Sequence, residues 1–114
     1  MSVKLSTRQV GDVSVVDVAG RITLGEGSSA LRDMLRDMVG KNQKKILLNL
    51  GDVSYIDSSG IGELVSGFTT VTNQGGQLKL LNLTKRVKDL LQITKLYTVF
   101  EVFEDEASAV RSFA

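Results

Sequence analysis

The sequence predicts an α/β domain in which an antiparallel hairpin is followed by alternating strands and helices. Residues 3–10 and 12–19 are strand-like runs joined at Gly11-Asp12, and strands so close in sequence pair as a hairpin. Beyond them, short apolar runs alternate with segments of helical periodicity, which is typical of parallel strands linked by crossover helices. The predicted order is ββαβαβαβα, a mixed sheet with helices packed on it. We expect residues 1–114 to form one domain of this α/β class.

The helices are predicted from capping residues and from apolar residues spaced three or four apart. We expect a loop over residues 20–27, a first helix capped by Ser28 or Ser29 and ending at Gly40, and a second helix from about Ser59. The predicted inward faces are Leu31, Met34, Leu35 and Met38 in the first helix, Ile61, Leu64, Val65, Phe68 and Val71 in the second, and Val87, Leu90 and Leu91 in the third.

The remaining strands are short apolar runs at residues 46–50, 78–81 and 97–103, and an acidic segment at 104–106 opens a last helix. In such sheets, sites form at the carboxyl ends of strands, where strand turns into helix. This rule selects two loops, residues 20–28 and residues 51–60. The outer face of the third helix carries Lys85, Arg86 and Lys88, and the plain interpretation of those charges is a solvated helix face.

Four residue types are missing from the chain, and their absence excludes several kinds of chemistry. The 114 residues contain no histidine, cysteine, proline or tryptophan. Without histidine there is no Ser-His-Asp triad and no imidazole base. Without cysteine there is no thiolate nucleophile, disulfide, or cysteine-based zinc or iron–sulfur site. We expect no catalytic residues, no metal and no cofactor.

The charge balance and the aromatic content both argue against nucleic-acid binding. The formal net charge is +1, and aromatic residues make up 5% of the chain. This balance offers no broad attraction for nucleic acid and little surface for stacking on bases, so we expect no nucleic-acid partner. No run of 18 apolar residues and no signal-peptide pattern occurs, so we expect a cytoplasmic protein that does not insert into a membrane.

The segment from residue 51 to residue 62 is the most unusual part of the sequence, and it lies where a strand turns into a helix. Asp57, Ser58 and Ser59 are all residue types that cap helices. Gly60 and Gly62 follow in the first helical turn, where glycine costs helix stability. This cost indicates close approach by another part of the chain or by another molecule.

Several interpretations of this segment remain open. A plain turn and cap would need only one of its polar residues. A serine nucleophile lacks a histidine base, and a dinucleotide site would need a third glycine where Val65 stands. A serine could instead be a phosphorylation site, since a phosphate at a helix N-terminus meets free N–H groups and a favourable dipole, although Asp57 would oppose its charge.

The chain resembles the STAS domain, specifically the bacterial anti-sigma factor antagonist family. The most specific piece is the run LNLGDVSYIDSSGIG over residues 48–62, which matches an apolar strand, an L-x-D-V stretch and then D-S-S/T-G-L/I-G. Supporting pieces are Gly20 at the end of the second strand, Gly75-Gly76 before the next, and Val87-x-x-Leu90-Leu91. The resemblance covers the whole chain in order and length.

The resemblance implies a protein that switches partners. In that family, the first serine after the aspartate is phosphorylated by an anti-sigma factor that is also a serine kinase, and only the unphosphorylated form binds it and frees the sigma factor. A PPM-type phosphatase restores binding. Carried over, the acceptor is Ser58, with Ser59 as the second candidate, and Asp57 orients the hydroxyl or caps the helix. The implied partner-binding residues are Thr23, Gly25, Asp57, Ser58, Ser59, Gly60, Gly62, Glu63, Ser66 and Gly67.

One loop departs from the family pattern. The loop after the second strand often reads G-E-L-D in the family, whereas Arg21 and Thr23 stand here in place of the acids. The departure leaves the identity of the kinase open. An alternative is a STAS scaffold or small-ligand-binding module of a signalling or lipid-transport complex, with a nucleotide or lipid headgroup at the same helix N-terminus.

Overall fold

A tight hairpin begins the sheet. The computed structural model describes residues 3–113, and its first two strands are β1 (Val3–Val10) and β2 (Val13–Ile22). They pair antiparallel along their length. Gly11 in the turn has φ 63°, a left-handed conformation that glycine adopts without a steric penalty. The predicted hairpin is therefore confirmed.

Three further strands extend the sheet, all in parallel register. They are β3 (Lys45–Ile56), β4 (Gln77–Leu81) and β5 (Val102–Phe103), and the strand order is β1-β2-β3-β4-β5. Each parallel neighbour is reached through a crossover helix. The mixed α/β sheet and the order ββαβαβαβα are as the sequence predicts.

Four helices cover the two faces of the sheet. They are α1 (Glu26–Gly40), α2 (Ser58–Asn73), α3 (Lys85–Ile93) and α4 (Glu106–Arg111). The residues predicted to face inward on α1, α2 and α3 all join one apolar cluster, either buried in it or packed against it. A smaller cluster on the opposite face joins Ala109 and Phe113 to Val13, Val15 and Leu47. Within residues 3–113, no helix has the length and apolar character needed to cross a membrane.

The predicted start of α1 is wrong. The helix begins at Glu26, and its N-cap is Gly25, which makes no side-chain capping bond. Ser28 lies inside the helix and is buried, with its hydroxyl donating to the carbonyl of Thr23 at 2.9 Å. The predicted loop at 20–27 is correspondingly shorter, because β2 continues to Ile22 alongside β3.

The last strand is also much shorter than predicted. Only Val102–Phe103 pairs with β4, whereas the preceding residues form turns around the end of α3. Most apolar residues in that stretch face the core without joining the sheet: Phe100 is 5% exposed, and Leu96 and Tyr97 pack against the main cluster, whereas Val99 is 37% exposed. Burial accounts for the apolar pattern that suggested a longer strand.

The first turn of α2 is pressed against the ends of β2 and β3. Gly60 is buried, and a Cβ atom there would meet the carbonyl oxygen of Ile22 and would lie 2.6 Å from Cγ1 of Ile56. Gly62, one half-turn further on, has open space around its Cα, with no atom within 4 Å of a Cβ. The two glycines therefore have different roles, although they are two residues apart.

Exchange of each glycine for alanine tests this packing. Gly60→Ala should lower the free energy of unfolding by about 1–3 kcal/mol, since the added methyl group meets backbone atoms and a buried side chain. Gly62→Ala should instead raise it by up to about 1 kcal/mol, because alanine is the better helix former. Urea unfolding followed by circular dichroism measures both. Equal effects of the two substitutions would contradict the described contact.

Candidate functional site

The candidate site lies where β2 and β3 end side by side. Arg21 pairs with Tyr55 and Ile22 with Ile56 in the parallel register. The chain then leaves both strands at the same edge, so the loop of residues 23–25 lies beside the first residues of α2. The two segments that sequence reasoning selected, 20–28 and 51–60, are thus brought together, but most of their residues are not loop. The predicted strand at 46–50 extends over Lys45–Ile56, so only residues 23–25 and Asp57 connect strand to helix here.

Asp57 fastens these two loops to each other. It is the N-cap of α2, and its Oδ1 accepts from the backbone N–H of Gly60 at 3.0 Å. Its Oδ2 accepts from the backbone N–H of Leu24 at 3.2 Å. Its own N–H donates to the carbonyl of Ile22 at 3.3 Å. Both carboxylate oxygens are therefore engaged with backbone donors.

Ser58 is the first residue of α2, and its side chain is exposed. Its hydroxyl makes no hydrogen bond to any residue in the range 3–113, so it is free to react with a molecule from solution. Ser59 is next in the helix and is partly buried. The first turn of a helix also presents unsatisfied N–H groups and the positive end of the dipole, which favour an anion at this point.

Two of the residues predicted to contact a partner are buried within the chain. Gly60 packs on β2 and β3, so the close approach that its glycine permits is to its own sheet and not to another molecule. Gly67 faces Leu35 of α1, where a Cβ would contact the leucine side chain. Both glycines serve internal packing, and neither offers side-chain surface to a partner.

The other predicted residues of α2 are nearer the surface. Gly62 and Ser66 are exposed. Glu63 is partly buried, and its Oε2 accepts from Nη1 of Arg32 at 3.4 Å, which joins α2 to α1. The accessible part of the predicted surface on this helix is therefore a strip that runs from Ser58 past Gly62 to Ser66.

The loop after β2 contributes a residue that sequence reasoning missed. Thr23 is partly exposed and Gly25 is exposed, with φ 99° at Gly25. Between them, Leu24 is 80% exposed, the most exposed of the large apolar side chains in the described range. Its backbone N–H donates to Asp57, so Leu24 lies next to the start of α2 with its side chain open to solvent. A leucine in a glycine-rich loop was the available signal in the sequence.

The site holds no obvious set of metal ligands. Among residues 3–113, no three carboxylate side chains come together in a way that could hold a metal ion. The groups available at the site are thus the unbonded hydroxyl of Ser58, the N-terminus of α2, the hydrogen-bonded carboxylate of Asp57 and the exposed side chain of Leu24.

Comparison with known proteins matches both the fold and the central sequence run. The family model of the STAS domain matches residues 4–109. Over 102 residues the chain is 33% identical to the anti-sigma-B factor antagonist of Bacillus subtilis (strain 168), which covers 90% of this chain and 92% of that protein.

Two solved structures share the fold. An anti-sigma factor antagonist from Mycobacterium paratuberculosis superposes with a TM-score of 0.86 at 17% identity, covering 97% of this chain and 93% of that one. The phosphorylated form of the Bacillus cell fate determinant SpoIIAA superposes with a TM-score of 0.76 at 18% identity, covering 97% and 100%. The family match spans most of the sequence and agrees with the predicted resemblance, and the chain belongs to the STAS domain family.

Proposed function

We propose that this protein is an anti-sigma factor antagonist whose binding to an anti-sigma factor is switched off by phosphorylation of Ser58. The observation that carries the proposal is the exposed, unbonded hydroxyl of Ser58 at the start of α2, held beside exposed Leu24 by the carboxylate of Asp57. The names of the relatives support the regulatory role, and the phosphorylated form of SpoIIAA supports the switch. In this proposal the protein acts by binding and performs no turnover of its own.

The phosphorylation step leaves this chain with the role of substrate. The Ser58 oxygen attacks the γ-phosphorus of ATP, a new P–O bond forms, the bond to the β-phosphate oxygen breaks, and ADP departs. The hydroxyl proton must pass to a base. The chain has no histidine, and both oxygens of Asp57 already accept from backbone N–H groups, so the base comes from the kinase. A PPM-type phosphatase reverses the reaction by hydrolysis.

The phosphate alters binding by its charge. Phosphoserine carries about −1.5 to −2 charges at pH 7. At the start of α2 that charge is tolerated on a free surface, because helix N–H groups and water solvate it. At a dehydrated interface the same dianion loses its water, and the carboxylate of Asp57 lies next to it in sequence. The unphosphorylated surface therefore binds, and the phosphorylated surface does not.

Substitutions of Ser58 should mimic the unphosphorylated and the phosphorylated form separately. Ser58→Ala should bind the anti-sigma factor constitutively and accept no phosphate, whereas Ser58→Asp should bind at least about tenfold more weakly, a loss of about 1.4 kcal/mol. Ser59→Ala is the matched control and should behave as the parent protein in both assays. Calorimetric titration measures the affinity, and mass spectrometry maps the phosphate. A phosphate on a residue other than Ser58, or equal affinities for the alanine and aspartate variants, would contradict the switch.

In this proposal Asp57 holds the site together and does not accept the proton of Ser58. Asp57→Asn keeps one side-chain acceptor, which can cap α2, and loses the second acceptor, which holds Leu24. The variant should fold, and its rate of phosphorylation should fall by less than about tenfold. Loss of a general base typically costs 10²–10⁴-fold, so a decline of that size in a folded variant would show instead that Asp57 takes the proton. Initial rates of phosphate incorporation at saturating ATP make the measurement.

Leu24 should supply apolar contact at the same interface. Leu24→Ser should leave the free energy of unfolding within about 0.5 kcal/mol of the parent value, since the side chain is exposed. It should weaken anti-sigma factor binding by about tenfold or more, as loss of an apolar anchor does. Ile93→Ser is the matched control, because Ile93 is 76% exposed at the end of α3. Equal losses of affinity for the two variants would contradict this role for Leu24.

A further inference from the structure

Two arginines from distant parts of the chain share one aromatic ring. The guanidinium carbon of Arg21, near the end of β2, lies 4.8 Å from the centroid of the Tyr55 ring. That of Arg86, in the first turn of α3, lies 4.3 Å from the same centroid. Both arginines are exposed, and Tyr55 is partly buried between strand and helix. These three residues are here called the Arg–Tyr–Arg cluster.

Neither arginine is neutralised by an acid. In the part of the chain that the structure describes, Arg8 and Arg32 form ion pairs with carboxylates, whereas no ion pair includes Arg21 or Arg86. A guanidinium that stacks on a ring uses its face, and its N–H groups point outward along its edge. The cluster therefore presents two guanidiniums that no carboxylate of the described residues pairs with, and guanidiniums bind carboxylates with two parallel hydrogen bonds.

The position of Arg86 is unfavourable for the helix that carries it. The first turn of α3 contains Lys85 and Arg86 and no acidic residue, although the helix dipole favours acids there. The Lys85 ammonium donates to Asp89 at 2.8 Å, and this hydrogen bond raises the pKa of Lys85. Arg86 has no such partner within residues 3–113. Its charge adds to the positive end of the dipole, so the local field attracts an anionic group from outside.

The cluster is close to Ser58 and Leu24 along the chain. Arg21 and Tyr55 are register partners at the ends of β2 and β3. Leu24 and Ser58 each follow three residues later on the same two chain segments. At about 3.3 Å per residue, the cluster lies within roughly 10 Å of them along the chain. A partner that covers Ser58 and Leu24 can reach both arginines.

We propose that the Arg–Tyr–Arg cluster is a docking site for an acidic segment of the protein that binds at Ser58. The proposal rests on the proposed function for the identity of that protein, and it adds the chemistry by which this chain selects it. The two guanidiniums bind Asp or Glu side chains of the partner. Nucleic acid is the competing occupant of a basic patch, and the formal net charge of +1 does not favour it.

A peptide titration tests the acidic docking site without the kinase. The probe is a hexaglutamate peptide, added to the ¹⁵N-labelled full chain at low salt and followed by shifts of the arginine side-chain N–H signals. Saturable shifts are expected at Arg21 and Arg86, with at least fivefold weaker binding in the double variant Arg21→Gln/Arg86→Gln. The control Lys4→Gln/Arg36→Gln removes the same charge from exposed residues that form no ion pair within residues 3–113, and it should bind as the parent does.

Each outcome decides the proposal. Absence of saturable shifts, or equal weakening by the control pair, would overturn it. Tighter binding of a single-stranded oligonucleotide than of the peptide, lost in the same double variant, would also overturn it in favour of nucleic acid. Because the titration uses unphosphorylated protein and no kinase, its result is independent of whether Ser58 is the acceptor. A chain that binds the peptide but is never phosphorylated would refute the proposed switch and leave the docking site standing.

Discussion

The carboxylate of Asp57 is the interaction on which the site depends. One oxygen caps α2 through the N–H of Gly60, and the other holds the N–H of Leu24 in the neighbouring loop. Parallel pairing of β2 with β3 brings these two segments to the same edge of the sheet, and the carboxylate then fixes them relative to each other. With both oxygens engaged, Asp57 has a structural role: it caps α2 and joins it to the neighbouring loop. The hydrogen bonds of Asp57 fix the start of α2, and Ser58 is exposed at that point.

A fixed scaffold of this kind suits a switch that works by charge. Gly60 lets the first turn of α2 lie against Ile22 and Ile56, which leaves little room for that turn to move inward. Ser58 is exposed at the surface of this packed turn. A phosphate added there therefore changes the surface charge and not the packing beneath it. Leu24 on one side and the Arg–Tyr–Arg cluster on the other give the same surface an apolar contact and an electrostatic one. Under the proposed function, the partner recognises three different chemical features near the start of α2.

The order of elements could be predicted from the sequence because hydrophobic periodicity and turn residues are local signals. The inward faces of α1, α2 and α3 followed from that periodicity, and residue type offered Asp57 as one of three candidate caps for α2. The start of α1 did not, because Gly25 caps it without a side chain and Ser28 bonds the carbonyl of Thr23 instead. Contacts between segments far apart in the sequence could not be predicted either. The inward packing of Gly60 and the meeting of Arg21 with Arg86 both depend on strand register and helix placement, which no local pattern specifies.

The central claim is that a phosphate on Ser58 changes the charge of a fixed surface without rearranging the fold. The most direct measurement compares ¹⁵N–¹H spectra of the chain with serine and with genetically encoded phosphoserine at position 58. We predict amide shifts confined to residues 22–25 and 57–62, with the core amides of β3 and β4 unchanged. Shifts spread through the core strands would contradict it, because they would show that the phosphate acts by rearranging the fold.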